Sequence, residues 1–320
     1  MTYQRTRAHT AGVRRFRRVG VGLLAALVAV AIVTVAAVGS LWLSLSGIKR
    51  DPTLLPVGGS NTVGAVPGSL NLLLIGTDSH AVRGNADVMM VVHVDASRQG
   101  VHLISLPRDL LVGTAPGSVR LSRVYAEGGS AATVQAVQNL MGIHIDHVAL
   151  TWLNGMSRLI DLLGGVPVDN PVASNSGGFP FPRGQITLSG EESLAYVRQG
   201  PTIPGELDRA ESQRLVLQGI AFRLLTSPTL SNPGTVKAVL DQLATDVVVD
   251  SGLDARRMVE LFVSLRTRSS GQELRAIKLP TAGRGTTPTG DGFVRPDGER
   301  IASLSQAVNS DTLQEWVRNR

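Results

Sequence analysis

Asp78 and Asp87 stand in NLLLIGTDSHAVRGNADVMMVVHVD, residues 71–95, each just outside a strongly apolar run. Carboxylates at both ends of one short loop are suited to a hard cation. Mg²⁺ is typically held by one or two of them, with waters and phosphate oxygens completing the shell. The duller reading is that Asp is common in loops. LPRDL puts Arg108 and Asp109 just after another apolar run. There the planar Arg fork suits bidentate contact with phosphate oxygens, or an ordinary loop ion pair. Arg120 and Arg123, in RLSRVYAEGG, either add charge or are solvated. LSGEESLAYVRQGPTIPGELDRAESQRL supplies Arg198 at a helix end, a flexible loop, then Arg209 and Gln213. Four apart on one helix, Arg209 and Gln213 share a face. With Asp208 as N-cap, an anion near that helix start would also meet free backbone N–H groups. The plain alternative is an inter-helix loop with exposed Arg.

The elements that must hold these groups are legible in the apolar pattern. LNLLLI (70–75) and VMMVVHV (88–94) are continuous apolar runs, as in strands covered on both faces. VHLISL (101–106), HVALTW (147–152) and ELRAIKLP (273–280) read as further strands. Helical spacing puts Val134, Val137 and Met141 on one stripe of 130–142. It puts Met156, Leu159, Ile160 and Leu163 on one stripe of 153–165, which a Gly pair ends. Ser189 with Glu192 three residues later is a capping-box start, and Asp208 with Glu211 repeats it. In LDARRMVELFVSLRTR, Met258, Leu261, Phe262 and Leu265 share a face. The Gly/Pro-rich stretches 174–188, 199–207 and 281–299 read as loops, natural carriers of binding residues. Strands alternating with helices predict an α/β layered domain with helices on both sheet faces.

The 320 residues suffice for one large domain or two ordinary ones. Without Cys there is no disulfide, zinc-thiolate site or cysteine nucleophile. The net charge of +6 belongs to the N-terminus. Arg5, Arg7, Arg14, Arg15, Arg17 and Arg18 precede the first long apolar run, and Lys49 and Arg50 follow it. Setting those eight aside leaves 23 basic side chains against 25 acidic, a net of −2, which argues against a general nucleic-acid surface. Residues 19–48 are 30 in a row without a charge, where about 20 apolar residues span a bilayer core. The positive-inside rule puts the N-terminus in the cytoplasm and everything beyond residue 50 outside. The run exceeds the usual signal-peptide core and lacks a sharp small-x-small exit. The expected organisation is a basic tail (1–18), a transmembrane helix (19–48), a linker (49–69) and an extracytoplasmic domain (70–320). That makes a single-pass protein of the cell membrane.

No Walker loop, GxSxG elbow or HExxH occurs. His93, His102, His144 and His147 fall in or near strands at no metal-ligand spacing, and read as partly buried or rim residues. Taken in order, NLLLIGTDS, ADVMMVVHVD, ISLPRDLLV, YAEGG, GIHIDHVALTWLNGMSRLIDLLGGVPV and LSGEESLAYVR resemble the LytR-CpsA-Psr family of cell-envelope proteins over about residues 70–225. The resemblance implies a three-layer α/β/α sandwich with a central mixed sheet and an apolar pocket for a prenyl chain. It implies a Mg²⁺-dependent phosphotransferase that moves a glycopolymer from a polyprenyl-pyrophosphate carrier to peptidoglycan. Asp78 and Asp87 would hold Mg²⁺. Arg108, Arg198 and Arg209 would meet the pyrophosphate with help from Gln213. Arg120, Arg83 and Asp109 would lie along the substrate, and Asp78 or Asp109 would take the acceptor's proton. Asn85, Gly200 and Ser212 stand where the family carries Arg, and Ser122 where it carries Asn. Reduced turnover is therefore expected. Two rivals follow: a polyprenyl-phosphate binder of the same fold, and a lipid pyrophosphatase.

Overall fold

The computed structural model describes residues 43–57, 66–77, 86–114, 117–199, 209–226, 232–267, 273–287 and 290–319. The strands are β1 (Lys49–Arg50), β2 (Leu70–Thr77), β3 (Ala86–Val94), β4 (Gly100–Leu106), β5 (Leu111–Thr114), β6 (Gly117–Arg120), β7 (His147–Trp152), β8 (Val166–Asn170), β9 (Ser174–Ser176), β10 (Phe179–Phe181), β11 (Gly184–Leu188), β12 (Val247–Val249), β13 (Glu273–Lys278), β14 (Thr281–Thr286) and β15 (Gly292–Pro296). The helices are α1 (Leu121–Met141), α2 (Leu153–Leu162), α3 (Gly190–Arg198), α4 (Arg209–Thr226), α5 (Pro233–Asp246), α6 (Ala255–Thr267), α7 (Gly298–Asn309) and α8 (Leu313–Arg318).

Seven strands form a mixed central sheet in the order β1-β12-β7-β2-β3-β4-β13. β2 runs parallel to β7 and antiparallel to β3, and β4 runs antiparallel to β3 and parallel to β13. Thus β2, β4, β7 and β13 all finish at one end of the sheet, where β3 begins. Alternation along the strands loads both faces. Leu73, Ile75, Met89, Val91 and Ile104 pack with Val134 and Val137 of α1 and Ile301 and Leu304 of α7. Met90, Val94, Val101 and Leu103 face Leu217 of α4 and Leu261 and Leu265 of α6. The continuous apolar runs are thus explained: each strand is covered on both sides.

The Ser189–Glu192 capping box forms as expected, and Met156, Leu159 and Ile160 are buried on α2, with Leu163 buried just past its end. Tyr196 of α3 is fully enclosed. Its ring meets Phe181 edge-on at 5.1 Å, its hydroxyl donates to Asn170 at 2.9 Å, and burial pushes its pKa up.

Other expectations change. The helix read at 130–142 starts at Leu121 and bends at Gly129, whose φ of 69° only Gly adopts cheaply. Stretches 174–188 and 281–299 contain the hairpins β9–β10 and β14–β15 and the strand β11. Their Gly and Pro mark turns between very short strands. Phe262 is 37% exposed, so the buried face of α6 is narrower than its spacing suggests. His93 and His102 are wholly buried, not at a rim. The membrane span and linker also end differently. Leu45 and Ile48 pack against Ala149 and Val249, and β1 pairs with β12, so the folded part begins by about residue 45. An uncharged run does not distinguish a lipid-facing helix from a segment buried in protein. Residues 19–42 lie outside the described ones, and among those no helix is long and apolar enough to cross a membrane.

His93 and His102 pair across β3 and β4. His93 Nδ1 lies 2.8 Å from Asn71 Oδ1, and among the described residues neither ring nitrogen of His102 has a hydrogen-bond partner. Burial pulls both imidazoles down to about 4, despite the nearby Asp95, and His93 adds to the shift of His102. Asp311, 3.5 Å from His93, does not reverse this, because burial raises its own pKa. Unfolded imidazoles take up protons near pH 6.5 while the native rings stay neutral to about 4. The unfolded state binds more protons in that window, so stability falls as pH drops from 6.5 to 4. Glu273, held at about 2 chiefly by Gln314 and Arg275, adds loss only below its ordinary value of 4.5. The urea midpoint of the full chain should fall between pH 6.5 and 4.5, and His102→Leu should flatten the slope. A flat midpoint in the unmodified chain contradicts this.

Candidate active site

Where β2, β4 and β13 finish and β3 starts lies a cavity of about 630 Å³. Asp87 to Met90 of β3, the 105–109 turn, and Gln213 and Arg214 of α4 line it. Lys278 and the β14–β15 hairpin supply the rest. Ligands in open α/β sheets sit outside such strand ends. Asp87 is placed there by a register break. Gly76 pairs with Val88 and Thr77 with Ala86, so Asp87 is the extra residue of a bulge. Bulges re-aim a side chain at the cost of one ladder pairing.

The Asp87 carboxylate accepts from Arg108 Nη1 at 2.5 Å. Arg108 Nε lies 3.7 Å from Asp109, whose other oxygen is 3.9 Å from Arg120. Arg120 also reaches Asp291, beside β15, at 3.5 Å. Alternating charge thus runs Asp87–Arg108–Asp109–Arg120–Asp291. The turn carrying Arg108 is fixed by α1, whose Ser122 amide donates to the Arg108 carbonyl at 2.9 Å while Leu121 N–H donates to Leu110 O. Free helix-start donors are satisfied by the loop they hold. The hairpin is tied to the same turn, because Val294 N–H donates to Asp109 O at 2.9 Å.

Of the residues singled out by sequence, Asp87, Arg108, Asp109 and Gln213 share the cavity. Arg120 acts one step back, through Asp109 and Asp291. Arg198 ends α3, exposed and away from the cavity lining. Arg209 opens α4 with its side chain outside the described residues, as are Asp78, Arg83, Asn85, Asp208 and Gly200. Ser212 is wholly enclosed. Sequence reasoning missed Arg214, Lys278 and Arg284, all of which line the cavity. A signal for Lys278 was present: Ile104-Ser105-Leu106-Pro107 and Ile277-Lys278-Leu279-Pro280 repeat one pattern, and the two strands lie parallel with Ser105 opposite Lys278.

Among the described residues no three His, Cys, Asp or Glu side chains cluster as a closed metal cage. Two carboxylates, Asp87 and Asp109, nevertheless line one cavity with four cationic side chains. Mg²⁺ keeps waters and takes substrate phosphate oxygens, so it needs no more protein oxygens than these. The donor set therefore fits a Mg²⁺ that takes few protein oxygens, and Asp87 would hold it.

A LytR_cpsA_psr family model matches residues 53–309. This chain belongs to the LytR-CpsA-Psr family. Among relatives, polyisoprenyl-teichoic acid–peptidoglycan teichoic acid transferase TagU of Halalkalibacterium halodurans is 31% identical over 249 residues, 75% of this chain and 78% of its own length. Cell wall biosynthesis protein LcpA of Corynebacterium glutamicum is 27% identical over 76% of this chain, which spans 56% of it. The solved LytR-Csp2A-Psr enzyme from Actinomyces oris has a TM-score of 0.65 and 26% identity, covering 82% of this chain and 97% of that one. The α/β fold with a central mixed sheet is thus the fold of LytR-CpsA-Psr proteins.

Arg120→Ala should release the β14–β15 hairpin from the 105–109 turn. Partly exposed ion pairs contribute about 0.5–1 kcal/mol, so amide exchange in 281–296 should quicken roughly two- to fivefold. Unchanged exchange there would mean the backbone ties alone hold the hairpin.

Proposed function

We propose that this chain transfers a glycopolymer from a polyprenyl-pyrophosphate carrier to a peptidoglycan hydroxyl. The observation that carries this reading is the strand-end cavity, whose lining the Asp87–Arg108 pair shares with Gln213 and further cations. The relatives named as teichoic acid transferase and cell wall biosynthesis protein support it. Arg108 and Arg214 bind the pyrophosphate oxygens, Gln213 orients them, and Asp87 holds the Arg108 fork in place. The acceptor oxygen forms a bond to the glycan-bearing phosphorus, the bond to the prenyl phosphate breaks, and the prenyl phosphate leaves with its electron pair. Asp109, the more exposed carboxylate of the two, accepts the hydroxyl proton. Bound Mg²⁺ would supply neutralisation of the phosphoryl charge. The uncharged run that starts at Val19 anchors the chain, with the domain outside the cytoplasm.

The test is assay of the full chain with a short-chain pyrophosphoryl glycan, Mg²⁺ and a muropeptide. Glycan-phosphate joined to muropeptide, with release of prenyl phosphate, is expected. Release without joining would make the protein a pyrophosphatase, and binding without release a carrier-lipid binder. Arg108→Ala removes a charge-assisted contact of about 1.5–3 kcal/mol, and should lower kcat/KM by roughly 10- to 150-fold. Asp87→Ala should weaken the Mg²⁺ dependence. Protease added to intact spheroplasts should digest the domain beyond residue 50. Full protection would contradict the topology.

A further inference from the structure

Away from the cavity, the helix layer of α4, α5 and α6 leaves large apolar side chains in solvent. Phe222 of α4 is 46% exposed, and Phe262 and Val263 of α6 are 37% and 50% exposed. Scattered singly such residues are ordinary, but these three stand on one layer. On α6 the cause is an apolar arc wider than its contact. Met258, Val259, Leu261 and Leu265 pack only partly, into two clusters beneath the helix. Phe262 follows Met258 by one turn and Val263 follows Val259 by one turn, where a surface helix ordinarily turns polar. The chain enters the fold against this same layer. Ser44 donates to Asp241 of α5 at 2.6 Å. Leu45 and Ile48 share a cluster with Leu240 and Ala244 of α5 and with Met258 and Val259 of α6. Leu43, just before them, is 73% exposed, and the uncharged run from Val19 leads straight into it.

We infer, resting on the reading of the run from Val19 as a membrane anchor, that the α4–α6 layer docks on the bilayer that holds the anchor. Phe222, Phe262 and Val263 enter the boundary between headgroups and acyl chains, where apolar side chains gain by burial. The occupant follows from where the anchor meets the fold. Leu45 is already packed against α5 and α6, and three residues of fully extended chain reach only about 10 Å. A bilayer spanned by the residues before Leu43 therefore lies within reach of this layer. Three partly exposed side chains make a weak contact by themselves, but a tethered domain docks intramolecularly, so a weak contact suffices. Docking also places the cavity. Gln213, in its lining, precedes Phe222 by nine residues on α4, about 14 Å along the axis at roughly 1.5 Å per residue. The docked helix thus holds the cavity at a fixed, short distance from the lipid in which a prenyl carrier resides.

The chain has no Cys, so a single introduced cysteine takes a label at one place. Phe222→Cys, Phe262→Cys and Val263→Cys probe the face, Ala31→Cys probes the anchor, and Ala302→Cys, exposed on α7 across the sheet, is the control. Each full chain carries a nitrobenzoxadiazole dye and is reconstituted in phosphatidylcholine vesicles with and without doxyl-labelled lipid. Doxyl lipid should quench the dye at 31 and at all three face positions, and spare it at 302. Phe262→Ser, read from a dye at 222, should lower the ratio of docked to undocked chain roughly two- to fivefold, the range for the part of a Phe side chain still exposed. Val263→Ser serves in its place if Phe262→Ser proves unstable. Quenching at 31 with face labels quenched no more than at 302 would overturn the docking and leave the anchor standing. No quenching at 31 would overturn both. Face labels shielded from water yet untouched by doxyl lipid would give the face to protein and overturn the docking. Shielding that grows with protein density would then name a second copy as the occupant, and shielding independent of it another segment of this chain.

Discussion

The Asp87–Arg108 pair is the constraint on which the site depends. It joins the start of β3 to the turn after β4 at 2.5 Å, and the contacts to Asp109, Arg120 and Asp291 are linked to it in series. A carboxylate left half-enclosed without its partner would be costly, so the pair also fixes where each side chain can go. The bulge at Asp87 follows from that need. In a regular ladder, Asp87 would share the face of the buried Met89, and one extra residue frees it from that phase.

The sheet converts this local arrangement into a site. Because β4 and β13 run parallel in matched register, their equivalent Leu-Pro ends bring Arg108 and Lys278 to the same cavity from positions 170 residues apart in sequence. The hairpin β14–β15 then folds back onto the Asp109 turn. Opposed signs along Asp87–Arg108–Asp109–Arg120–Asp291 let a cationic cavity exist without leaving its arginines to repel one another. That suits phosphoryl chemistry, in which fixed charge at the reacting group does most of the work.

The sequence was most legible where one strong periodicity acted alone. The runs 70–75, 88–94 and 101–106 became central strands, and the Ser189–Glu192 box formed. Asp87, Arg108 and Asp109 could be picked out because each sits at or just beyond a strand end, and Gln213 because it lies one turn after Arg209 on the same helix face. Arg284 could not, and Lys278 only through the Ile-x-Leu-Pro pattern it shares with 104–107, since their importance comes from strand pairing and a hairpin fold-back, both long-range. The hairpins in 174–188 and 281–299 were hidden because three- to six-residue strands between glycines carry little periodic signal. Leu45 and Ile48 were read as membrane residues because apolarity is the same whether lipid or protein covers it.

The most direct test of the central claim is a double-mutant cycle on transfer kcat/KM with Asp87→Asn and Arg108→Gln. If the two side chains act as one unit, the double variant should lose little more than the worse single one, with a coupling of about 1–3 kcal/mol. Losses that simply add, within about 0.5 kcal/mol, would mean that the two residues act independently and that the site is not organised around their contact.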